Sequence, residues 1–120
     1  MSAQAYRELA AKALPVCEKA GAALIVHGGP EVFRATPGAA GLHLPWREAA
    51  GLSARPVPEG FWLGVSCHNR QEIEQAKAIG ADYVTLGPVK PTESHPGAPT
   101  LGWPAFTDLV SEAALPVFAL

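Results

Sequence analysis

Ala81-Asp-Tyr-Val-Thr-Leu-Gly-Pro-Val-Lys-Pro-Thr-Glu-Ser-His-Pro-Gly-Ala-Pro-Thr-Leu-Gly-Trp103 is the stretch on which the fold of this chain turns. Tyr83 to Leu86 is a β-rich run that stops at Gly87-Pro88, and a loop carrying Thr92, Ser94 and His95 follows before Pro104, which suits the first turn of a helix. Strand, loop and helix make an α/β unit. In such units ligands sit beyond the carboxyl ends of the strands, where backbone N–H groups and short hydroxyl side chains meet an anion near a helix start.

Downstream, Phe106, Leu109 and Val110 mark an amphipathic helix, and Pro116 to Leu120 reads as a fifth strand. Upstream, Gly80 is the stop of a helix running from Arg70 to Ile79, with Asn69 as N-cap and Glu72 three residues on in a capping-box arrangement. Before it, Phe61 to Ser66 is a strand, residues 55–60 are a Pro/Gly loop, and Trp46 to Leu52 is a short helix. Gly41 to Leu44 is a strand closed by Pro45; Leu42 and Leu44 share one face and His43 takes the other, where a structural hydrogen bond is its expected role. Pro30 to Ala35 reads as a short helix, and the apolar run Ala22 to Val26 as a strand buried on both faces. Apolar residues at helical spacing from Ala3 to Ala20 predict the first helix, ended by Gly21, with a kink or break near Ala13 and Leu14 because Pro15 removes a backbone donor.

Strands and helices alternating at intervals of about twenty residues call for a parallel sheet with right-handed crossovers, in one α/β domain over residues 1–120. With 48% hydrophobic and 17% charged residues the chain has the makings of a packed core. A net charge of −2 gives no general field for nucleic-acid phosphates, so any phosphate is held locally. Cys17 and Cys67 lack Cys-X-X-Cys spacing, no signal-peptide pattern opens the chain, and no apolar run approaches the roughly 20 residues of a bilayer span. We expect a cytoplasmic protein that meets neither membrane nor nucleic acid.

The stretch from Gly80 to Thr92, followed by Gly102-Trp103 and Leu115-Pro-Val-Phe-Ala-Leu120, resembles the thiamine-phosphate synthase family and its relative, thiazole tautomerase. Gly64-Val-Ser-Cys-His68 is similar to the family's Ser-X-His strand end, and Gly41-Leu-His-Leu44 to its Gly-Val-His-Val strand. Residues 91–103 look most like the form fused behind a Nudix hydrolase. The resemblance implies a (β/α)-barrel. About five strands where the barrel has eight make this a partial TIM-barrel-like domain, truncated at both ends, whose open sheet edges invite self-association.

Three of the four histidines, His27, His68 and His95, fall at or just after predicted strand ends, where side chains from successive loops converge. His68 is the candidate acid/base, since an unperturbed imidazole can take up and return a proton near pH 7, and by resemblance it stands where the tautomerase carries its own. Ser66 lies two residues earlier, on the same face of an extended strand, and is its expected catalytic partner; Cys67 points the other way and packs. By resemblance Thr92, Ser94 and His95 form the phosphate-holding loop, His95 replacing the usual lysine, and Gly87 and His27, at the ends of their strands, are expected to join them in the site for a phosphorylated heterocycle. Magnesium enters only through the resemblance. Where the synthase has Asn-Asp this chain has His27-Gly28, and Glu48 is the one carboxylate nearby, a poor site for a cation that asks for hard oxygen ligands. We therefore expect tautomerase-like chemistry or binding of a phosphorylated thiazole rather than diphosphate displacement. The alternatives are a non-catalytic ligand-binding or structural module of a larger Nudix fusion, and a transition-metal site built from His27, His68 and His95.

Overall fold

Leu42, Leu44, Leu63, Val65, Val84 and Leu86 are all fully buried, and each alternates along its strand with a residue on the opposite face. That alternation places the core on one side of the sheet. In the computed structural model, which describes residues 1–94 and 96–120, the sheet is parallel throughout in the order β1-β2-β3-β4-β5. The strands are β1 (Ile25–His27), β2 (Gly41–Leu44), β3 (Trp62–Cys67), β4 (Tyr83–Leu86) and β5 (Val117–Ala119). The helices are α1 (Ala3–Ala20), α2 (Pro30–Arg34), α3 (Trp46–Ala49), α4 (Arg70–Ala78) and α5 (Gly102–Ala113).

The buried face packs on Ala49 of α3, Ile73 and Ala76 of α4 and Ala113 of α5, in one hydrophobic cluster. Burying a Leu or Val side chain contributes about 1.5–3 kcal/mol, so this layer is what orders the strands. The other face stays open. It carries, in register, the row His27, His43, Gly64, Tyr83 and the row Ser66, Thr85, Phe118. Trp62 and Phe118 on that face are 53% and 58% exposed.

Two sequence expectations shift for physical reasons. The first strand begins at Ile25 rather than Ala22, because β2 offers its first register partner, Gly41, only there. It is an edge strand with Val26 buried but Ile25 37% exposed, not one buried on both faces. Helix α1 runs through Pro15 without a break. Pro15 and Ala11, whose carbonyl loses its usual donor, are both exposed, so water can take the bond. Ser2 accepts from Ala5 N–H at one end and Gly21, in the left-handed region, closes the other.

Smaller offsets follow from the ends of elements. Helix α5 starts at Gly102, two residues before Pro104, with Gly102 at φ 73°. Leu101 and Gly102 donate back to the carbonyls of Pro88 and Val89 at 2.9 Å each, which pins the two ends of the long loop together. Arg55 fixes the loop ahead of β3: it donates to the carbonyls of Val57, Gly80 and Phe61 and lies 3.3 Å from the Asp82 carboxylate. Among the described residues no helix is long and apolar enough to cross a membrane.

Candidate active site

Strands β3, β4 and β5 end together, and beyond their carboxyl ends lies an open cleft of about 330 Å³. Ser66, His68, Thr85, Gly87, Thr92 and Ser94 line it. Five of the sequence candidates, Ser66, His68, Gly87, Thr92 and Ser94, are thus brought to one place. Gly87 is there because β5 comes close: a Cβ at position 87 would stand 2.6 Å from the Leu120 carbonyl oxygen. Thr85 was not singled out by the sequence. Its hydroxyl oxygen is buried and has no hydrogen-bond partner among the described residues, a group that a ligand's polar atom would satisfy.

His27 is not brought to the cleft. It sits on the edge strand β1, two strand spacings of about 4.8 Å from β3, with its ring 5.6 Å from that of His43. His95 lies outside the described residues. The start of α5 lies apart from this cleft as well; Trp103 lines an adjoining hollow with Lys90 and Pro91.

His68 follows the last residue of β3, where the chain turns into α4. Asn69 caps that helix by accepting from Glu72 N–H at 2.9 Å. The Glu72 carboxylate then turns back on residue 68: it accepts from the backbone N–H of His68 at 3.0 Å and stands 2.6 Å from Nδ1. Glu72 is well covered, at 12% side-chain exposure, while His68 is 52% exposed. A carboxylate on Nδ1 fixes the ring and selects the tautomer in which Nδ1 bears hydrogen. Nε2 has no bond to a described residue.

Ser66 is not hydrogen-bonded to His68. Its Oγ lies 2.8 Å from Nε2 of His43, and Nδ1 of His43 lies 3.0 Å from the Tyr83 hydroxyl. Burial, and then the neighbouring His27, hold the His43 imidazole below its usual pKa, so it is neutral near pH 7. Burial raises the Tyr83 hydroxyl above its usual value, with Asp82 adding to the effect. Cys67 packs in the core as its alternation with Ser66 required. Burial, followed by the Glu72 charge, pushes its thiol up to about 12, which leaves almost no thiolate for nucleophilic chemistry.

The described residues offer a divalent cation no ready-made cluster, and the metal site read from His27, His68 and His95 includes a residue outside them. Among the described residues no three His, Cys, Asp or Glu side chains converge, and the described side chains lining the cleft include no carboxylate. Magnesium, which takes carboxylates and other hard oxygens in near-octahedral array, does not fit this donor set.

A parallel β/α succession with its cleft beyond the strand carboxyl ends defines an α/β protein of the (β/α)-barrel type. The chain belongs to the thiamine monophosphate synthase family, whose family model matches residues 1–120. It is 36% identical over 121 residues to the thiamine-phosphate synthase of Thioalkalivibrio sulfidiphilus, covering 95% of this chain and 55% of that protein. It is 39% identical over 83 residues to the thiamine-phosphate synthase of Bacillus velezensis, covering 69% of this chain and 37% of that one. Among solved structures, the thiamine phosphate pyrophosphorylase of Pyrococcus furiosus superposes with a TM-score of 0.75 at 21% identity, over 100% of this chain and 57% of the other. That likeness shows the fold. The chain spans about half the length of the curated relatives it matches.

Proposed function

We propose that the cleft binds a phosphorylated thiazole or a closely related heterocycle, as part of thiamine biosynthesis or salvage, and that His68 is its acid/base. One observation carries the reading: an imidazole with Nδ1 held by Glu72 shares a cleft with the hydroxyls of Ser66, Thr85, Thr92 and Ser94. Hydroxyl groups can donate to phosphate oxygens without a fixed charge. A ring nitrogen with its partner nitrogen anchored can take a proton from a heterocycle and return it one atom away, which is what a tautomerisation requires. Ser66 acts here as a ligand-facing hydroxyl rather than as a partner bonded to His68.

A second reading, a binding module without chemistry, is favoured by the described side chains that line the cleft, which include no carboxylate. Diphosphate displacement needs neutralisation of the leaving group, and the described side chains lining the cleft offer no carboxylate to hold a metal for it. Placement behind a Nudix hydrolase rests on the sequence of residues 91–103 alone. Self-association through the open sheet face rests on the exposed Trp62 and Phe118.

Calorimetric titration distinguishes a phosphate-holding cleft from an inert one. A thiazole phosphate should bind at least about tenfold more tightly than the unphosphorylated thiazole alcohol, the equivalent of roughly 1.4 kcal/mol. Equal or absent binding of the two would overturn the assignment.

A further inference from the structure

Ser66, His43 and Tyr83 come from three adjacent strands and form one hydrogen-bonded row on the open sheet face. The row exists because Gly64, the register partner of both His43 and Tyr83, has no side chain: a Cβ there would collide with the Tyr83 ring. One end of the row is the Ser66 hydroxyl, in the cleft. The outer flank carries the ring of His27, 5.6 Å from His43, and that of Phe118, 5.7 Å from Tyr83.

A neutral imidazole has one N–H and one bare nitrogen, so the row has a direction. In one direction Nδ1–H of His43 donates to Tyr83, Ser66 donates its only proton to Nε2, and the cleft meets serine lone pairs. The Tyr83 proton then has no acceptor among the described residues. In the other direction Tyr83 donates to Nδ1, Nε2–H donates to Ser66 Oγ, and the Ser66 proton is free to point outward. Each direction leaves one hydroxyl proton without an acceptor among the described residues, that of Tyr83 in the first and that of Ser66 in the second, and only the second presents that proton to an anion in the cleft.

We infer that His43 is a positioning residue: by donating from Nε2 to Ser66 it turns the Ser66 hydroxyl into a hydrogen-bond donor toward a phosphorylated ligand in the cleft. The inference rests on the ligand reading above, but the direction of the row can be read without any ligand.

Nitrogen-15 spectra of the histidine-labelled chain at pH 7.5 give that direction. His43 should carry its proton on Nε2, and Tyr83→Phe should reduce that preference; a proton on Nδ1 in the wild-type chain would overturn the inference. With a thiazole phosphate as titrant, His43→Leu should weaken binding about threefold to tenfold, the range for one net hydrogen bond. His43→Gln, whose amide can still donate toward Ser66, should recover most of that loss. Equal losses in the two variants would reduce His43 to packing and overturn the inference. Nε2–H in the free chain together with unchanged binding by Ser66→Ala would uphold the row's direction and remove the ligand reading instead.

Discussion

Tyr83 reaches His43 across β3 at the one register position, Gly64, where no side chain stands in its way. Gly64→Ala should therefore push the Tyr83 ring aside and break its bond to His43, at a cost of about 1–3 kcal/mol, the usual range for overpacking. Urea unfolding reads that cost. Pairing Gly64→Ala with Tyr83→Ala should be less destabilising than the two single effects added, since the collision is then gone. Simple additivity would mean that the ring does not lie over Gly64.

His43 gives the native state a specific weakness to acid. Its pKa is lowered by burial and by His27, so as pH falls below the ordinary imidazole value of 6.5 the unfolded chain takes up a proton that the native chain refuses. Stability should drop over that range. Among the described residues the titratable groups facing His43 are His27 from β1 and Tyr83 from β4. His43→Gln should flatten the fall in denaturation midpoint between pH 7 and pH 5, and an unchanged slope would place the effect elsewhere.

Cys67 supplies the opposite, alkaline limb. Its thiol goes from an ordinary 9.0 to about 12 in the fold, so above pH 9 the unfolded chain loses a proton that the native chain keeps. The associated stability is complete below pH 9 and is lost as pH climbs toward 12. At pH 8 a thiol reagent should modify the less buried Cys17 and spare Cys67 until denaturant is added. Equal rates at the two thiols in the native chain would contradict the burial argument.

The sequence is explicit where a residue forbids continuation. Pro45 and Gly87-Pro88 end β2 and β4, Asn69 opens α4, and all three limits stand as read. Ala22 to Leu24 are apolar enough for a strand, but pairing decides, and β2 meets β1 only from Ile25 onward. Pro15 is tolerated because its face of α1 is wet. In the cleft, Ser66 and His68 were legible from period-two spacing and strand-end position. The partners they use were not. Spacing could show that His43 lies opposite Leu42 and Leu44, but only the register between strands brings it to Ser66. Glu72 was legible as a capping residue, and its turn back onto the His68 ring needed the geometry of the β3–α4 junction.

The grip of Glu72 on Nδ1 of His68 makes the central claim measurable. Tautomerisation of a phosphorylated thiazole by the wild-type chain, His68→Gln and Glu72→Gln should be compared with the affinity of each for thiazole phosphate. A positioned acid/base contributes about 10²–10⁴-fold, so His68→Gln should lose that much in kcat at nearly unchanged affinity. Glu72→Gln should fall in between, since the amide still orients the ring but no longer supports its cation. Equal turnover in the wild-type and His68→Gln chains would contradict the assignment of His68 as the proton carrier.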